Sequence, residues 1–500
     1  MTVISATGLS KSYIGENIFS NVSFSVEKGD RVVIIGANGA GKSTLLNILS
    51  GYEVHDEGSI FISNDLKIGY FRQNDLFTSE KTVYEEMLSI FEEVIKIENK
   101  LDELSFLISE KSDNVDKNKL NKMLSEYDRL SEQFRNKDGY TYKSEIDGVL
   151  NSMAFPTSFY NKNTASLSGG ERTRLALASL LLKKPDILML DEPTNHLDIG
   201  TLKWLEQYIR SYRGTVLIIS HDRYFIDNTA TRIFEMKNGR LSVYEGNYTF
   251  YAKENKIRYL TELKAYEHQS SEIARQEEMI RRYKERGTEK LAKRAKSREK
   301  ALEKVERLNK PIAHNEKIKI TFHEITKSGN DVLKAVELGK SIGTGAEKRS
   351  LFQNVNFDIK RGERICIIGP NGIGKTTLLK MLMEQSSITE GYIKIGHNVD
   401  FGYYDQEQSM LCENSTVIEE MRDSYGLYSD NELRGLLARF LFRGDDVFKP
   451  VEALSGGERA RLALLKLMMS GANVLILDEP TNHLDIMSKK VFETTENIIS

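Results

Sequence analysis

The feature that most constrains this chain is an internal repeat. Residues 167–199 read LSGGERTRLALASLLLKKPDILMLDEPTNHLDI, and residues 454–486 read LSGGERARLALLKLMMSGANVLILDEPTNHLDI, at an offset of 287 positions. An earlier pair, GANGAGKST from Gly36 and GPNGIGKTT from Gly369, is offset by 333 positions. The chain therefore holds two copies of one module. Because the offset falls by 46 positions between the two pairs, the first copy is predicted to carry an insertion.

Each copy alternates short apolar runs with helical patterns. Arg31–Ile35 and Arg364–Ile368 are predicted strands that lead into a glycine-rich loop. Ile187–Leu190 and Val474–Leu477 are predicted strands that end in Asp-Glu, and Thr215–Ile219 ends in Ser-His. This alternation predicts an α/β fold in which each module is built around a largely parallel sheet.

The offsets also predict the domain organisation. The first module is assigned to residues 1–246, with a helical insertion at about 78–134, and the second to residues 312–500. Within the insertion, Thr82-x-x-Glu85 is a capping-box pattern that begins one helix, and a second helix returns after the polar stretch 109–118. Residues 247–311 form a linker without a sheet pattern. A break at Gly287 predicts two antiparallel helices there.

Gly36-x-x-x-x-Gly41-Lys42-Ser43 is a P-loop pattern between a predicted strand and a predicted helix. In such a loop, backbone N–H groups bind phosphate oxygens, the lysine neutralises phosphate charge and the hydroxyl ligates Mg²⁺. A single P-loop string can occur by chance, but two such strings, each between a predicted strand and a predicted helix, are not explained by chance. ATP and Mg²⁺ are therefore the predicted cofactors. The other residues predicted to bind nucleotide in the two loops are Asn38, Gly39, Thr44, Gly369, Asn371, Gly372, Gly374, Lys375, Thr376 and Thr377, and Thr376 is also a predicted metal ligand.

An acidic pair follows a predicted strand in each module. Asp191 and Asp478 are predicted to hold Mg²⁺, and Glu192 and Glu479 come next. A carboxylate beside a terminal phosphate can polarise the attacking water, which is the role of a general base. One such pair alone is more simply a solvated strand end. The P-loop upstream of both pairs favours the catalytic interpretation.

The string LSGGE, at Leu167–Glu171 and Leu454–Glu458, is predicted to begin a helix whose N-terminus could bind an anion. These residues resemble the signature of the ATP-binding cassette (ABC) superfamily, LSGGQ, with Glu in place of the final Gln. The resemblance implies a sandwich in which ATP lies between the P-loop of one cassette and the signature of the other, here within a monomer. The resemblance also implies that the following signature residues bind nucleotide: Ser168, Gly169, Gly170, Ser455, Gly456 and Gly457.

The same resemblance implies further roles. Gln73 and Gln406 match the loop glutamines that contact Mg²⁺ and nucleotide. His221 matches the catalytic switch histidine, and Tyr13 matches the residue that stacks on adenine. A lone His or Tyr is more often structural. The second cassette departs from this pattern because Ile342 aligns with Tyr13. Its switch histidine would fall at position 508, so this cassette is expected to be incomplete at its C-terminus.

Three functions suit twin cassettes: a transporter ATPase subunit, a DNA-maintenance ATPase and a member of the ABC-F family. The string PTNHLD after both acidic pairs, the LSGGE variant, the helical insertion and the charged linker resemble ABC-F. That resemblance implies an ATPase that binds the tRNA exit region of the ribosome, in contact with ribosomal RNA and tRNA. It would serve as a translation factor or as an antibiotic-resistance protection factor. The transporter ATPase is the alternative.

The charge of the linker supports an RNA target independently. Residues 281–300 contain ten Lys or Arg and three Glu, a formal charge of +7 in a chain of net −3. Helical i,i+4 pairs cannot neutralise that excess. A basic helical tip favours phosphate and therefore RNA. The predicted RNA contacts are Arg286, Lys290, Lys293, Arg294, Lys296 and Arg298.

Composition indicates the compartment. No apolar run approaches the roughly 18 residues of a membrane span, and the N-terminus lacks a secretory pattern. Two cysteines, Cys366 and Cys412, cannot build a disulfide framework or a structural zinc site. Cys366 is predicted to be buried in a strand. A soluble, cytoplasmic protein is expected.

Overall fold

The computed structural model of the chain describes residues 1–13, 16–72, 80–110, 117–195, 197–285, 288–305, 307–308, 326–343, 349–405, 411–480 and 489. Two α/β cassettes that share much of their order of elements are joined by a helical hairpin, as the repeat predicts. The predicted domain boundaries at 246/247 and 311/312 stay predictions.

The first cassette contains two sheets. An antiparallel sheet has the strand order β2 (Glu16–Glu27), β1 (Thr2–Tyr13) and β4 (Glu57–Ile62). A six-stranded sheet has the order β5 (Ile68–Phe71), β6 (Ile187–Asp191), β7 (Thr215–Ile219), β3 (Arg31–Gly36), β8 (Arg232–Lys237) and β9 (Arg240–Glu245). All its neighbouring pairs are parallel except β8 with β9.

Strand β3 shows why the central run is apolar throughout. Val32 and Ile34 pack into a core that the antiparallel sheet closes, while Val33 and Ile35 pack into a second core on the opposite face. A parallel strand covered on both faces requires apolar side chains in both directions. The first core includes α1 (Lys42–Leu49). The second is closed by α2 (Val83–Ser89), α5 (Tyr142–Ser152), α6 (Gly169–Leu182), α7 (Ile199–Ser211) and α8 (Arg223–Thr229).

The capping box at Thr82 is confirmed: its N–H donates to Glu85 Oε2 at 2.9 Å, and Glu85 N–H donates to Thr82 Oγ1 at 3.3 Å. However, the helix that it begins is the short α2, which ends at Ser89 instead of running on through Phe91 as predicted. The second cassette has the same box at Thr416 and Glu419. Helix α2 is therefore common to both cassettes.

The additional material in the first cassette is the pair α3 (Glu92–Glu110) and α4 (Lys117–Asn136). Salt bridges from Lys137 to Glu93, 2.5 Å, and from Lys100 to Glu126, 3.5 Å, show that the two helices are antiparallel. Of the predicted turn at residues 109–118, the two ends belong to α3 and α4, and residues 111–116 lie outside the described residues. We call this pair the arm.

The second cassette repeats the antiparallel sheet in the order β11 (Arg349–Lys360), β10 (Asp331–Ile342) and β12 (Glu390–Ile395). Its parallel pair is β13 (Phe401–Tyr404) with β14 (Val474–Leu477). Its helices are α11 (Lys375–Leu382), α12 (Val417–Ser424), α13 (Asp430–Arg439) and α14 (Gly456–Met469).

The prediction of a strand at Arg364–Ile368 is wrong for this structure. Residues 363–370 have no regular secondary structure, and Ile365 and Ile368 are 54% and 72% exposed. Cys366 is exposed rather than buried. In the first cassette, β3 is held between β7 and β8. In the second cassette the described parallel pair is β13 with β14, and no described strand pairs with residues 364–368.

The linker is a hairpin of α9 (Tyr248–Glu285) and α10 (Glu289–Glu303), and the predicted break at Gly287 lies outside the described residues. Lys284 pairs with Glu299 at 2.5 Å, and Arg298 donates to Gln276 Oε1 at 2.5 Å, so the helices run antiparallel. Helix α9 has 38 residues. At about 1.5 Å per residue it is about 57 Å long.

The base of α9 is fixed to the first cassette by a buried carboxylate. Glu235, on β8, is 6% exposed and accepts hydrogen bonds from Tyr251 Oη at 2.8 Å, Asn255 Nδ2 at 2.8 Å and Tyr244 Oη at 3.1 Å. Glu235 also pairs in register with Ile35 of β3, the strand that ends at the P-loop. The hairpin is thus bonded to the strand next to the nucleotide-binding loop.

Candidate active site

The first P-loop connects β3 to α1 and wraps around a lysine. Lys42 is 7% exposed, and its Nζ donates to the carbonyl oxygens of Gly36 at 2.9 Å and Ala37 at 2.8 Å. Gly41 adopts a φ of 88°, and a Cβ there would lie 2.5 Å from Ile18 Cγ2. At Gly39, φ is 78°, and a Cβ there would meet no atom within 4 Å. The loop therefore needs glycine for its backbone conformation and leaves open space in front of its amides.

Asp191 ends β6 beside this loop. It is 6% exposed, and hydrogen bonds connect it to Ser43 and Tyr70. Burial raises the pKa of Asp191, while the Ser43 hydroxyl and the Lys42 charge act in the opposite direction. A buried carboxylate and a hydroxyl in contact at the start of a helix are oxygen ligands of the kind that Mg²⁺ prefers.

Glu192 takes an unusual backbone conformation. Its φ is 50°, in the left-handed region, and its N–H donates to Ile219 O at 2.9 Å. Glu479 in the second cassette has a φ of 46°. A non-glycine residue in this region costs about 1–3 kcal/mol and persists where the surrounding structure imposes it. Both predicted catalytic bases therefore sit on strained backbone.

Burial raises the pKa of Glu192 well above the ordinary value of a glutamic acid, with Asp191 acting in the same direction and Lys42 and Lys489 opposing it. His221 follows β7, and its Nε2 lies 3.4 Å from Glu192 Oε1. The structure thus brings the predicted base and the predicted switch histidine together.

These residues line a cleft of about 440 Å³ to which both cassettes contribute. From the first cassette it is lined by Ile18, Asn38, Gly39, Gly41, Lys42, Ser43, Thr44, Asp191, Glu192, Asn195, Ile219 and His221; from the second, by Ser455, Gly456 and Lys489. The structure therefore places the second signature sequence opposite the first P-loop.

Each signature sequence begins a helix by the same means. Ser168 is the N-cap of α6 and Ser455 that of α14. Glu171 Oε2 accepts from Ser168 N–H at 2.8 Å, and Glu458 Oε2 accepts from Ser455 N–H at 2.9 Å. The glutamate in place of glutamine thus completes a capping box, which satisfies donors that the helix start leaves unpaired. In the first signature Ser168 and Gly169 are exposed, and Gly170 is partly so.

The second P-loop has the same local geometry. Gly372 and Gly374 have φ values of 78° and 101°, and Lys375 Nζ donates to Gly369 O at 2.9 Å. Asp478 is 5% exposed and accepts from Tyr403 Oη at 3.5 Å. Thr376 is exposed, while Thr377 is partly buried.

One contact joins the first cassette to the second P-loop. Asp198 caps α7, accepting from Thr201 N–H at 2.8 Å, and also accepts from the backbone N–H of Asn371. Although burial raises the pKa of Asp198, these two hydrogen bonds and the Arg174 charge bring it below the ordinary value. The cassettes therefore contact each other at the second P-loop, and both line the cleft at the first.

Tyr13 ends β1 at the edge of the first P-loop. It is 41% exposed, bonds to Glu53 through its hydroxyl and also reaches Thr44, which lines the cleft. Ile342 ends β10, and the pairings Tyr13 with Glu16 and Ile342 with Arg349 are equivalent. The structure thus supports the alignment of these two positions.

Several predicted residues remain without a structural account. Gln73, Gln406 and Arg286 lie outside the described residues, and so do positions 481–485 of the second PTNHLD string. Conversely, the sequence motifs do not include Tyr70, which bonds to Asp191, or Lys489. A signal for Tyr70 exists, because its counterpart at the offset of 333 is Tyr403, which contacts the equivalent Asp478.

Two P-loops, each followed in the chain by a capped signature helix and a buried acid, with the second signature opposite the first P-loop, define the class: a twin-cassette ATPase of the ABC superfamily. Among the described helices, none combines the length and the apolar character that a membrane span requires.

Comparison with known proteins places the chain within that class. A family model described as ABC transporter matches residues 19–195 and 352–482, and a second model with the same description matches 234–322. The chain is 42% identical to the ATP-binding protein YdiF of Bacillus subtilis (strain 168), over 99% of this chain and 75% of that protein. It is 36% identical to the ABC transporter F family member 5 of Arabidopsis thaliana, over 97% and 70%.

The chain is also 36% identical to the energy-dependent translational throttle protein EttA of Escherichia coli (strain K12), over 95% of this chain and 84% of that protein. Among solved structures, the RNase-L inhibitor covers 99% of this chain at 20% identity with a TM-score of 0.58, which supports the twin-cassette fold alone. The chain belongs to the ABC-F family of twin-cassette ATPases. It binds and hydrolyses ATP.

Proposed function

We propose that this protein is a cytoplasmic, ribosome-binding ATPase that uses the closure of its cassettes on ATP to place its hairpin tip against RNA. The observation that carries the proposal is the basic tip of a hairpin about 57 Å long, whose base is bonded to the strand next to the first P-loop. The name of the relative EttA, a translational throttle protein, supports a target in translation.

In the proposed reaction, Glu192 accepts a proton from the water that attacks the terminal phosphate, and His221 positions the carboxylate and the phosphate. Glu479 has the same role in the second site. Lys42 and the loop amides bind the phosphates from one side, and the helix N-terminus at Ser455 binds them from the other. The cleft is suited to this role because residues of both cassettes line it.

The residues beside the phosphates fit Mg²⁺. Ser43 and Asp191 in the first site, and Thr376 and Asp478 in the second, would hold the ion, with Gln73 and Gln406 as further ligands. When bound, Mg²⁺ neutralises charge on the β- and γ-phosphates. Because Mg²⁺ keeps several of its own water ligands, a site with only a few protein ligands is suited to it. Among the described residues no cluster of three or more His, Cys, Asp or Glu side chains could hold a metal, so the proposed site depends on one acid and one hydroxyl per cassette.

The hairpin tip suits contact with phosphate because its cations are exposed. Lys293, Arg294 and Lys296 are all exposed on α10. Arg298 is different: its guanidinium bonds to Gln276 and lies 5.8 Å from the centre of the Tyr283 ring, so it joins the two helices. We therefore assign RNA contact to the first three residues and a packing role to Arg298. Lys290 and Arg286 remain candidates on sequence grounds.

The site of action that the family suggests is the tRNA exit region, with the arm on nearby ribosomal RNA or protein. Two tasks fit that position: regulation or rescue of translating ribosomes, and protection of ribosomes from antibiotics. The transporter alternative draws support only from the description of the two matched family models.

Co-sedimentation with purified ribosomes tests the proposal. We expect the protein with Glu192→Gln and Glu479→Gln to sediment with ribosomes in ATP and to remain in the supernatant in ADP. Equal sedimentation in both nucleotides, or none in ATP, would contradict the proposal. Recovery from detergent-solubilised membranes in complex with an integral membrane protein would support the transporter alternative.

A further inference from the structure

The cleft contains one charged residue that no motif accounts for. Of its three lining residues from the second cassette, Ser455 and Gly456 belong to the signature sequence, and the third is Lys489. Lys489 is partly buried and lies four positions after the final Asp485 of PTNHLD. A lysine of one cassette therefore reaches the nucleotide site that the other cassette builds.

We propose that Lys489 is a further residue of the first nucleotide site, where its ammonium neutralises the terminal phosphate of ATP from the opposite cassette. This proposal depends on the assignment of the cleft as the hydrolytic site, but not on any contact with the ribosome.

The lysines of the cleft come from both cassettes. Its lining includes Lys42 of the first P-loop and Lys489 of the second cassette. A triphosphate bound in this cleft would therefore meet a cation from each side. In a partly buried cleft such charge interactions are stronger than in water.

The two cassettes differ at this position. The repeat offset of 287 pairs Lys489 with Leu202, which lies four positions after Asp198. Leu202 is partly buried and packs on the core of the first cassette. At the position equivalent to Lys489, the first cassette therefore offers the second nucleotide site an apolar residue, and the two sites differ chemically there.

In the reaction, water attacks phosphorus and the bond from phosphorus to the ADP oxygen breaks, while Lys489 keeps its proton and forms no bond. Lys489 stabilises the negative charge on the phosphoryl oxygens in the transition state. Other nucleotidases receive such a cation from a partner protein. Because Lys489 belongs to the second cassette, it can act only when the cassettes are closed, which makes hydrolysis in the first site conditional on closure.

The test isolates one site at a time, without ribosomes. In a Glu479→Gln background, where turnover comes from the first site, we expect Lys489→Met to lower kcat by about a hundredfold to a thousandfold, the range for loss of one positioned donor to a developing negative charge. In a Glu192→Gln background the same substitution should change kcat by less than about twofold. Lys489→Arg should recover most of the loss. Lys203→Met, which removes an exposed lysine on α7, is the matched control.

Nucleotide affinity gives a second readout that does not depend on turnover. With both glutamates replaced by Gln, Lys489→Met should weaken ATP binding several-fold and leave ADP binding unchanged, because only ATP has the terminal phosphate. An unchanged kcat and an unchanged ratio of ATP to ADP affinity would overturn the proposal. So would an equal loss in the Glu192→Gln background or with Lys203→Met, since that would indicate a general effect of charge. If Lys489→Met lowers the melting temperature, Lys489→Gln replaces it in both measurements.

Discussion

The second acid of each Asp-Glu pair combines strain with burial. Glu192 and Glu479 both have positive φ angles, and Glu192 lies against His221 at the end of the neighbouring strand. A side chain held in one direction by its backbone is already oriented for its role, so less ordering is needed when substrate arrives.

Replacing both glutamates with glutamine should abolish turnover. Glutamine keeps the size and the strained backbone but cannot accept the proton of the attacking water. We expect kcat to fall by at least about a hundredfold, while ATP affinity stays within a few-fold of the wild type. Phosphate release and equilibrium binding measure the two quantities, and persistent wild-type hydrolysis would refute the assignment of the bases.

Each signature helix begins with a capping box. The glutamate of that box stands where the LSGGQ signature has its final glutamine. Glu458→Ala removes the acceptor for Ser455 N–H, and we expect a loss of about 0.5–2 kcal/mol in the free energy of unfolding. Glu458→Gln should recover part of this loss, because its amide oxygen can still accept. Urea denaturation gives the comparison, and an equal cost for both variants would show that charge, rather than the hydrogen bond, matters.

The hairpin depends on the hydrogen bonds of Glu235. Tyr251→Phe removes one donor from this buried carboxylate, which should cost about 1–3 kcal/mol. Burial also raises the pKa of Tyr251, as expected of a hydroxyl held as a donor next to a carboxylate. Tyr259→Phe on the same helix is the control, since no described residue bonds to the Tyr259 hydroxyl. Denaturation curves for the two variants should separate clearly. Coincident curves would show that the hydrogen bond from Tyr251 to Glu235 does not stabilise the protein.

Reversing the tip charge separates RNA contact from simple solvation. Lys293→Glu, Arg294→Glu and Lys296→Glu together should weaken ribosome binding and flatten its salt dependence by about 0.7–0.9 in the log–log slope per lost phosphate contact. Basal ATPase should not change, because the tip lies far from the cleft. Wild-type affinity in a variant with intact basal activity would end the RNA proposal.

Contact between the cassettes can be tested at Asp198. Asp198→Ser keeps a capping oxygen for α7 but is too short to accept also from Asn371 N–H. We expect weaker ATP-dependent closure, measured as a smaller decrease in the radius of gyration on adding ATP, and a lower kcat. Asp198→Asn, which retains the reach, should be milder. Unaltered closure in the serine variant would show that this contact is incidental.

The whole molecule also shows which features a sequence can predict. The P-loops and capping boxes are local, so their residues predict them correctly. The strand at Arg364–Ile368 was predicted wrongly because a central strand depends on its neighbours, and the partners of β3 come from residues about 180 and 200 positions later. Lys489 escaped detection for a similar reason. Nothing near it in the chain indicates that it faces a cleft built by the other cassette.

Helix α9 acts as a lever. Its base is bonded to β8 through Glu235, and β8 lies beside the strand that ends in the first P-loop. Over a length of about 57 Å, one degree of rotation at the base displaces the far end by about 1 Å. A tilt of about 3–4° then moves the tip by about 3.4 Å, the rise of one nucleotide along a strand. A tilt of a few degrees at the base of α9 is therefore enough to displace the tip by the rise of one nucleotide.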